Sequence, residues 1–114
     1  MKIPKSAKLK FKGIIFDVYQ WEQKMFDGTY ETFEMLKRPD TVEIIPVAGD
    51  KILINEQQQP NTPVFLSLFG GRVDEGEEPL RAAKRELLEE AGYASDDWEI
   101  IRACEPYSKM EWTV

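Results

Sequence analysis

One segment of this chain is clearly helical, and the end of that helix is loaded with glutamate. Leu80, Ala83, Leu87 and Ala91 recur at three- and four-residue steps, which lines up a single apolar stripe. Pro79 suits the first helical position with Glu78 at the cap, and Gly92 stands where a left-handed stop is expected. Glu86, Glu89 and Glu90 fall on adjoining parts of one surface that flanks the stripe. Like charges at that spacing cost a helix roughly 0.2–0.5 kcal/mol per pair. Anions in the last turn also oppose the helix dipole, by about 0.3–1 kcal/mol each. A sequence shaped for stability alone would place lysine or arginine there. A bound cation reverses the sign of both effects.

The rest of the chain reads as strand and turn. Residues 9–27 are rich in aromatic and β-branched side chains, so they are expected to be extended. Asp27-Gly28 signals a turn, and residues 30–37 resume the extended pattern, giving a hairpin. Arg38-Pro39-Asp40 breaks the chain. Residues 42–47 and 51–55 predict a second hairpin around Ala48-Gly49-Asp50. Residues 57–63 read as a loop, and 64–69 as a short buried strand ended by Gly70-Gly71. After the helix, 98–104 and 110–114 look like strand again. Strands, one helix, then strands predict a sheet-based α/β or α+β domain.

Composition narrows the chemistry. The 114 residues fit one domain of a soluble globular kind. A net charge of -6 argues against a nucleic-acid polymer as partner, because such surfaces are basic. No apolar run approaches the ~20 residues of a membrane span, and the lysine-rich start is not followed by a signal-peptide core. With Cys104 as the single cysteine, no intrachain disulfide is available, which suits a reducing cytoplasm. Histidine is absent, so zinc and the usual general base are both disfavoured. Carboxylates without histidine or thiolate indicate a hard ion, Mg2+ or Mn2+. Gly70-Gly71 lets the backbone approach a ligand closely, so a carbonyl near Gly70 is a further candidate ligand, and Arg85 is placed to hold one glutamate. A solvated face is the ordinary reading of any one such glutamate, with Arg81, Lys84 and Arg85 as pairing partners.

The full pattern is more specific. Gly71-x5-Glu77-x7-Arg85-Glu86-Leu87-x-Glu89-Glu90-x-Gly92-Tyr93 resembles a complete Nudix box, with Tyr93 in place of the commoner aliphatic residue. The resemblance to Nudix hydrolases implies an α/β/α sandwich around a mixed sheet, here C-terminally shortened and preceded by an N-terminal antiparallel hairpin. It implies metal-dependent hydrolysis of the pyrophosphate bond in a nucleoside diphosphate linked to another group. It makes Glu86 and Glu90 the main metal ligands. Glu89 becomes a further ligand or orients water, Arg85 fixes the glutamates, and Gly70 supplies its carbonyl.

Outside the box, Asp27-Gly28, Thr32-Phe33-Glu34 with Arg38-Pro39, Glu56-Gln57-x-Gln59-Pro60 and Leu68-Phe69-Gly70-Gly71 resemble the ADP-ribose and nucleotide-sugar pyrophosphatase branch. That resemblance implies a homodimer built through residues 1–40, followed by a partial catalytic core over 41–114 with the box at 71–93. It implies that Phe33, Glu34 and Arg38 contact the base and that Gln59 lies on the substrate side. The branch has arginine where this chain has Gln59, and a neutral amide does not hold phosphate as guanidinium does, which weakens the case for ADP-ribose itself. Relatives in the branch continue past the position of Val114 with further strands, a loop that often holds the catalytic base, and a closing helix. The alternative expectation is therefore a non-catalytic nucleotide- or metal-binding module, or an incomplete chain that needs a partner.

Overall fold

The computed structural model describes residues 2–114. Along the chain run β1 (Lys8–Lys12), β2 (Asp17–Lys24), β3 (Tyr30–Lys37), β4 (Thr41–Ile44), β5 (Val47–Ala48) and β6 (Lys51–Ile52). They are followed by β7 (Asn55–Gln57), β8 (Phe65–Ser67), β9 (Phe69–Arg72), the helix α1 (Pro79–Ala91) and β10 (Met110–Glu111). Two compact units result. One comprises the chain up to Asp40 with Arg102–Val114, and the other is Thr41–Ile101. Residues 102–114, grouped above with 41–101, lie with the N-terminal strands because β10 pairs with β3.

The first unit is a mixed sheet in the order β1-β2-β3-β10, with β10 parallel to β3 and the other pairs antiparallel. The β2–β3 hairpin forms as the sequence predicts. Asp27 Oδ1 accepts bonds from the Thr29 amide at 3.0 Å and the Thr29 hydroxyl at 2.6 Å, while Gly28 takes φ +88° in the turn. Register pairs Trp21 with Phe33 and Tyr19 with Met35, so one face buries Trp21 and Met35. The other face pairs polar groups, including Thr32 with Glu22. The extended run expected over 9–27 is interrupted. Gly13 donates its amide to the Phe16 carbonyl at 2.9 Å, and a side chain at Gly13 would overlap that oxygen.

In the second unit, α1 packs on β9 and β4. Ile44, Phe69, Ala83 and Leu87 form the core, with Val42, Leu53, Ala91 and Trp98 against it. The helix begins at Pro79 and stops at Gly92, which takes φ +71° and donates to Leu88 O. Its buried stripe is Ala83, Leu87 and Ala82, whereas Leu80 is 39% exposed and lies outside it.

Several local expectations are corrected. Residues 42–44 pair with the glycine strand β9, not with 51–55, because that pairing puts Ile44 and Phe69 together in the core under the helix. The second hairpin shrinks to Val47–Ala48 with Lys51–Ile52. Pro46 has no amide to extend β4, and its carbonyl accepts from Leu53. The segment 64–69 splits into β8 and the start of β9, and only Phe69 in it is buried. Gly70-Gly71 does not end the strand but lies within β9. Residues 98–104 form no strand, and Ile100 and Ile101 are exposed. Strand in 110–114 is confined to Met110–Glu111, beyond which Val114 and Cys104 exchange backbone bonds of 2.9 Å.

Candidate active site

The site is built on one face of α1 and on the loop that leads into it. Arg85 is its hub. Its Nε donates to Glu77 Oε2 and its Nη2 to Glu77 Oε1, both at 2.9 Å. Its Nη1 donates to Glu86 Oε1 at 2.9 Å and to Glu89 Oε2 at 3.4 Å. The Arg72 carbonyl accepts from Nη2 at 3.0 Å, and Asp74 lies 3.6 Å away. The turn before the helix is closed by reciprocal bonds, Asp74 amide to Glu77 Oε1 at 3.1 Å and Glu77 amide to Asp74 O at 3.0 Å. Gly76 turns that loop with φ +75°.

Electrostatics follow from these bonds. The paired bonds from Arg85, with help from the Asp74 amide, hold the Glu77 carboxyl down at about 2. In return, Glu77 first and Glu86 second raise the proton affinity of Arg85. Glu90 is shifted the other way. Partial desolvation of its carboxyl is the largest cause, although the residue as a whole is exposed. The neighbouring Glu86 carboxyl adds to the rise, and a backbone hydrogen bond at Gly70 opposes it. Asn55 Nδ2 donates to Glu90 Oε2 at 3.3 Å. Among the described residues no ion pair includes Glu90.

The glycines of β9 leave room for this arrangement. A Cβ at Gly71 would lie 2.5 Å and 2.7 Å from Glu86 Oε1 and Oε2. A Cβ at Gly70 would overlap the Val42 carbonyl.

The expected site residues therefore fall into distinct settings. Arg85, Glu86, Glu90 and Gly70 come together, while Glu89 leans toward Arg85 at 3.4 Å. Among the described residues no three acidic, His or Cys side chains are gathered to hold a metal. The set still fits a hard divalent ion. Mg2+ commonly takes one or two carboxylates and fills its other positions with water and substrate phosphate, and two crowded carboxyls offer that donor set. Gln59 is exposed in the loop after β7, where its carbonyl accepts from Thr62. Phe33, Glu34 and Arg38 belong to the first unit. Phe33 is half-buried edge-on to Trp21 at 5.9 Å, with Lys109 Nζ 5.4 Å from its ring. Glu34 accepts from Gln20 at 2.7 Å. The Arg38 guanidinium lies over the rings of Trp112 and Phe16, at 4.6 and 5.7 Å. Sequence reasoning gave Glu77 no role beyond its place in the pattern. It missed Asn55 altogether, since no local spacing connects Asn55 to a glutamate 35 positions away.

The NUDIX domain family matches residues 37–113. The chain belongs to this family. An ADP-ribose pyrophosphatase of Bacillus subtilis strain 168 is 30% identical over 87 residues, covering 75% of this chain and 47% of that protein. The ADP compounds hydrolase NudE of Escherichia coli K12 is 25% identical over 91 residues, covering 77% of this chain and 49% of NudE. A crystal structure of an ADP compounds hydrolase superposes with a TM-score of 0.77 at 23% identity, over 96% of this chain and 61% of that one. That likeness establishes the Nudix fold as an α/β arrangement with a mixed sheet and, among the described residues, one helix. The chain spans about half the length of these curated Nudix relatives.

Proposed function

We propose that this chain carries the metal-binding core of an enzyme that hydrolyses the pyrophosphate bond of a nucleoside diphosphate linked to another moiety, of ADP-ribose or nucleotide-sugar type. The observation that carries the reading is the division of labour on α1. Arg85 occupies Glu77 and one oxygen of Glu86. Glu90, beside Glu86, is left without a cationic partner among the described residues. Family membership and relatives named for ADP-ribose and ADP compounds support the substrate class.

In this reading Glu86 and Glu90 hold Mg2+ or Mn2+, with the Gly70 carbonyl and Glu89 as further ligands or holders of water. Such an ion, when bound, polarises phosphoryl oxygens and lowers the pKa of coordinated water. The protein's own part is positioning. Arg85 fixes Glu86 through Nη1, and Gly71 provides the space that the Glu86 carboxylate occupies. Phe33, Glu34 and Arg38 contact the base, and Gln59 lies on the substrate side. Association into a homodimer uses residues 1–40, where Phe11 and Ile14 are 62% and 98% exposed. No helix among the described residues is long and apolar enough to cross a membrane, and the cytoplasm suits the absence of a disulfide.

The test is hydrolysis. With Mg2+, the chain is expected to convert members of a panel of ADP-ribose and nucleotide-sugar compounds to two monophosphates. A longer polypeptide that continues past residue 114 is assayed beside it. Binding without product in both would replace this reading with a non-catalytic nucleotide-binding module.

A further inference from the structure

The acidic side chains around α1 have partners of two kinds. Glu77, Glu86 and Glu89 all reach Arg85. Glu90 instead takes a neutral donor, the Asn55 amide, at 3.3 Å. An amide gives a carboxylate direction without neutralising it, whereas a lysine or arginine in that place would compete with any incoming cation.

Asn55 is also hard to explain as a strand residue. Asparagine is depleted in strands, yet Asn55 opens β7 in a half-buried position. Its cross-strand neighbour is Ser67. The Ser67 hydroxyl, however, is taken by Gln57 Nε2 at 2.6 Å. The polar pairing of the β7–β8 hairpin is thus satisfied by Gln57, and the Asn55 amide goes to the helix.

We propose that Asn55 is a positioning residue that holds the Glu90 carboxylate beside Glu86 in an orientation ready for a divalent cation. This inference rests on the metal-binding reading of Glu86 and Glu90. A single 3.3 Å bond to an exposed side chain adds little to fold stability. Its loss therefore reads in metal affinity and leaves the melting temperature in place.

The experiment is a double-mutant cycle on the whole chain, with Mn2+ alone as the probe and the free ion followed by electron paramagnetic resonance. Asn55→Ala is expected to weaken Mn2+ about tenfold or more, the range seen when a metal ligand loses its supporting hydrogen bond. Its metal-free melting temperature should match that of the parent chain. The double variant N55A/E90Q should bind no more weakly than E90Q, because Asn55 acts through Glu90. Should Asn55→Ala fail to fold, Asn55→Val, which favours the strand and carries no donor, takes its place. If E90Q weakens Mn2+ but loss of the amide changes affinity by less than about twofold, the role of Asn55 is overturned and the metal reading stands. Additive losses in the double variant would place Asn55 elsewhere and overturn it as well. If E90Q binds Mn2+ like the parent chain, the metal reading fails and the inference falls with it.

Discussion

The guanidinium of Arg85 closes on the Glu77 carboxylate through two parallel bonds of 2.9 Å, Nε to Oε2 and Nη2 to Oε1. This fork ties the loop before the helix to the helix itself, and the same guanidinium reaches Glu86 through Nη1. A planar donor with fixed angles can serve both carboxylates, whereas a lysine ammonium cannot reproduce that geometry. Arg85→Lys is therefore expected to lower the melting temperature. It should also weaken Mn2+ binding by about tenfold to a hundredfold, since Glu86 loses its support. Calorimetry of the two proteins, with and without Mn2+, checks both effects.

The same pair sets an acid response. The Glu77 carboxyl lies at about 2 in the fold against an ordinary value of 4.5. A depressed carboxyl contributes stability that is fully present above the unfolded value and is lost as pH falls through the folded one. The contribution of Glu77 is thus complete above about 4.5 and disappears between there and about 2. Urea midpoints measured from pH 6 downward should fall more steeply for the parent chain than for Glu77→Gln. Parallel curves would remove Glu77 from the account.

Glu90 predicts the opposite sign. Its proton affinity is raised by desolvation and by Glu86, so ionising it costs more in the fold than in the unfolded chain. Glu90→Gln should leave the metal-free protein as stable as before or raise its melting temperature. Mn2+ should then stabilise the parent chain and leave the variant almost unchanged. Thermal melts with and without Mn2+ separate these outcomes.

Two neighbouring glycines should behave differently. Gly71→Ala places a methyl group on the Glu86 carboxylate, a side chain that can move. It should weaken Mn2+ binding with little loss of stability. Gly70→Ala meets the Val42 backbone carbonyl, which is fixed by the β4–β9 pairing. That overlap is expected to cost about 1–3 kcal/mol of stability. Denaturation curves and Mn2+ titrations of both variants provide the comparison.

What could be read from the sequence was what local chemistry specifies. The first hairpin follows from Asp27-Gly28 and its flanking strands, and α1 follows from Pro79, the three- and four-residue apolar steps and Gly92. Strand pairing was less legible, because alternation marks a strand but does not name its partner. Val42–Ile44 pairs with the glycine strand on account of packing at Ile44 and Phe69, not of any turn nearby. Gly70-Gly71 looked like a stop because glycine is read as a loop residue, yet both lie in β9, where other groups occupy the Cβ space. In the site, the crowding of Glu86 and Glu90 was visible in their spacing. The choice made by Arg85 among its acids was not, since it depends on a loop that returns Glu77 to the helix. Asn55 could not be found from spacing because tertiary structure alone brings it to Glu90.

The most direct test of the whole account is an anomalous difference map from Mn2+-soaked crystals of this chain. A peak is expected between the Glu86 and Glu90 carboxylates, with Arg85 still holding Glu77. Water at that place, with the two glutamates turned apart into solvent, would contradict it.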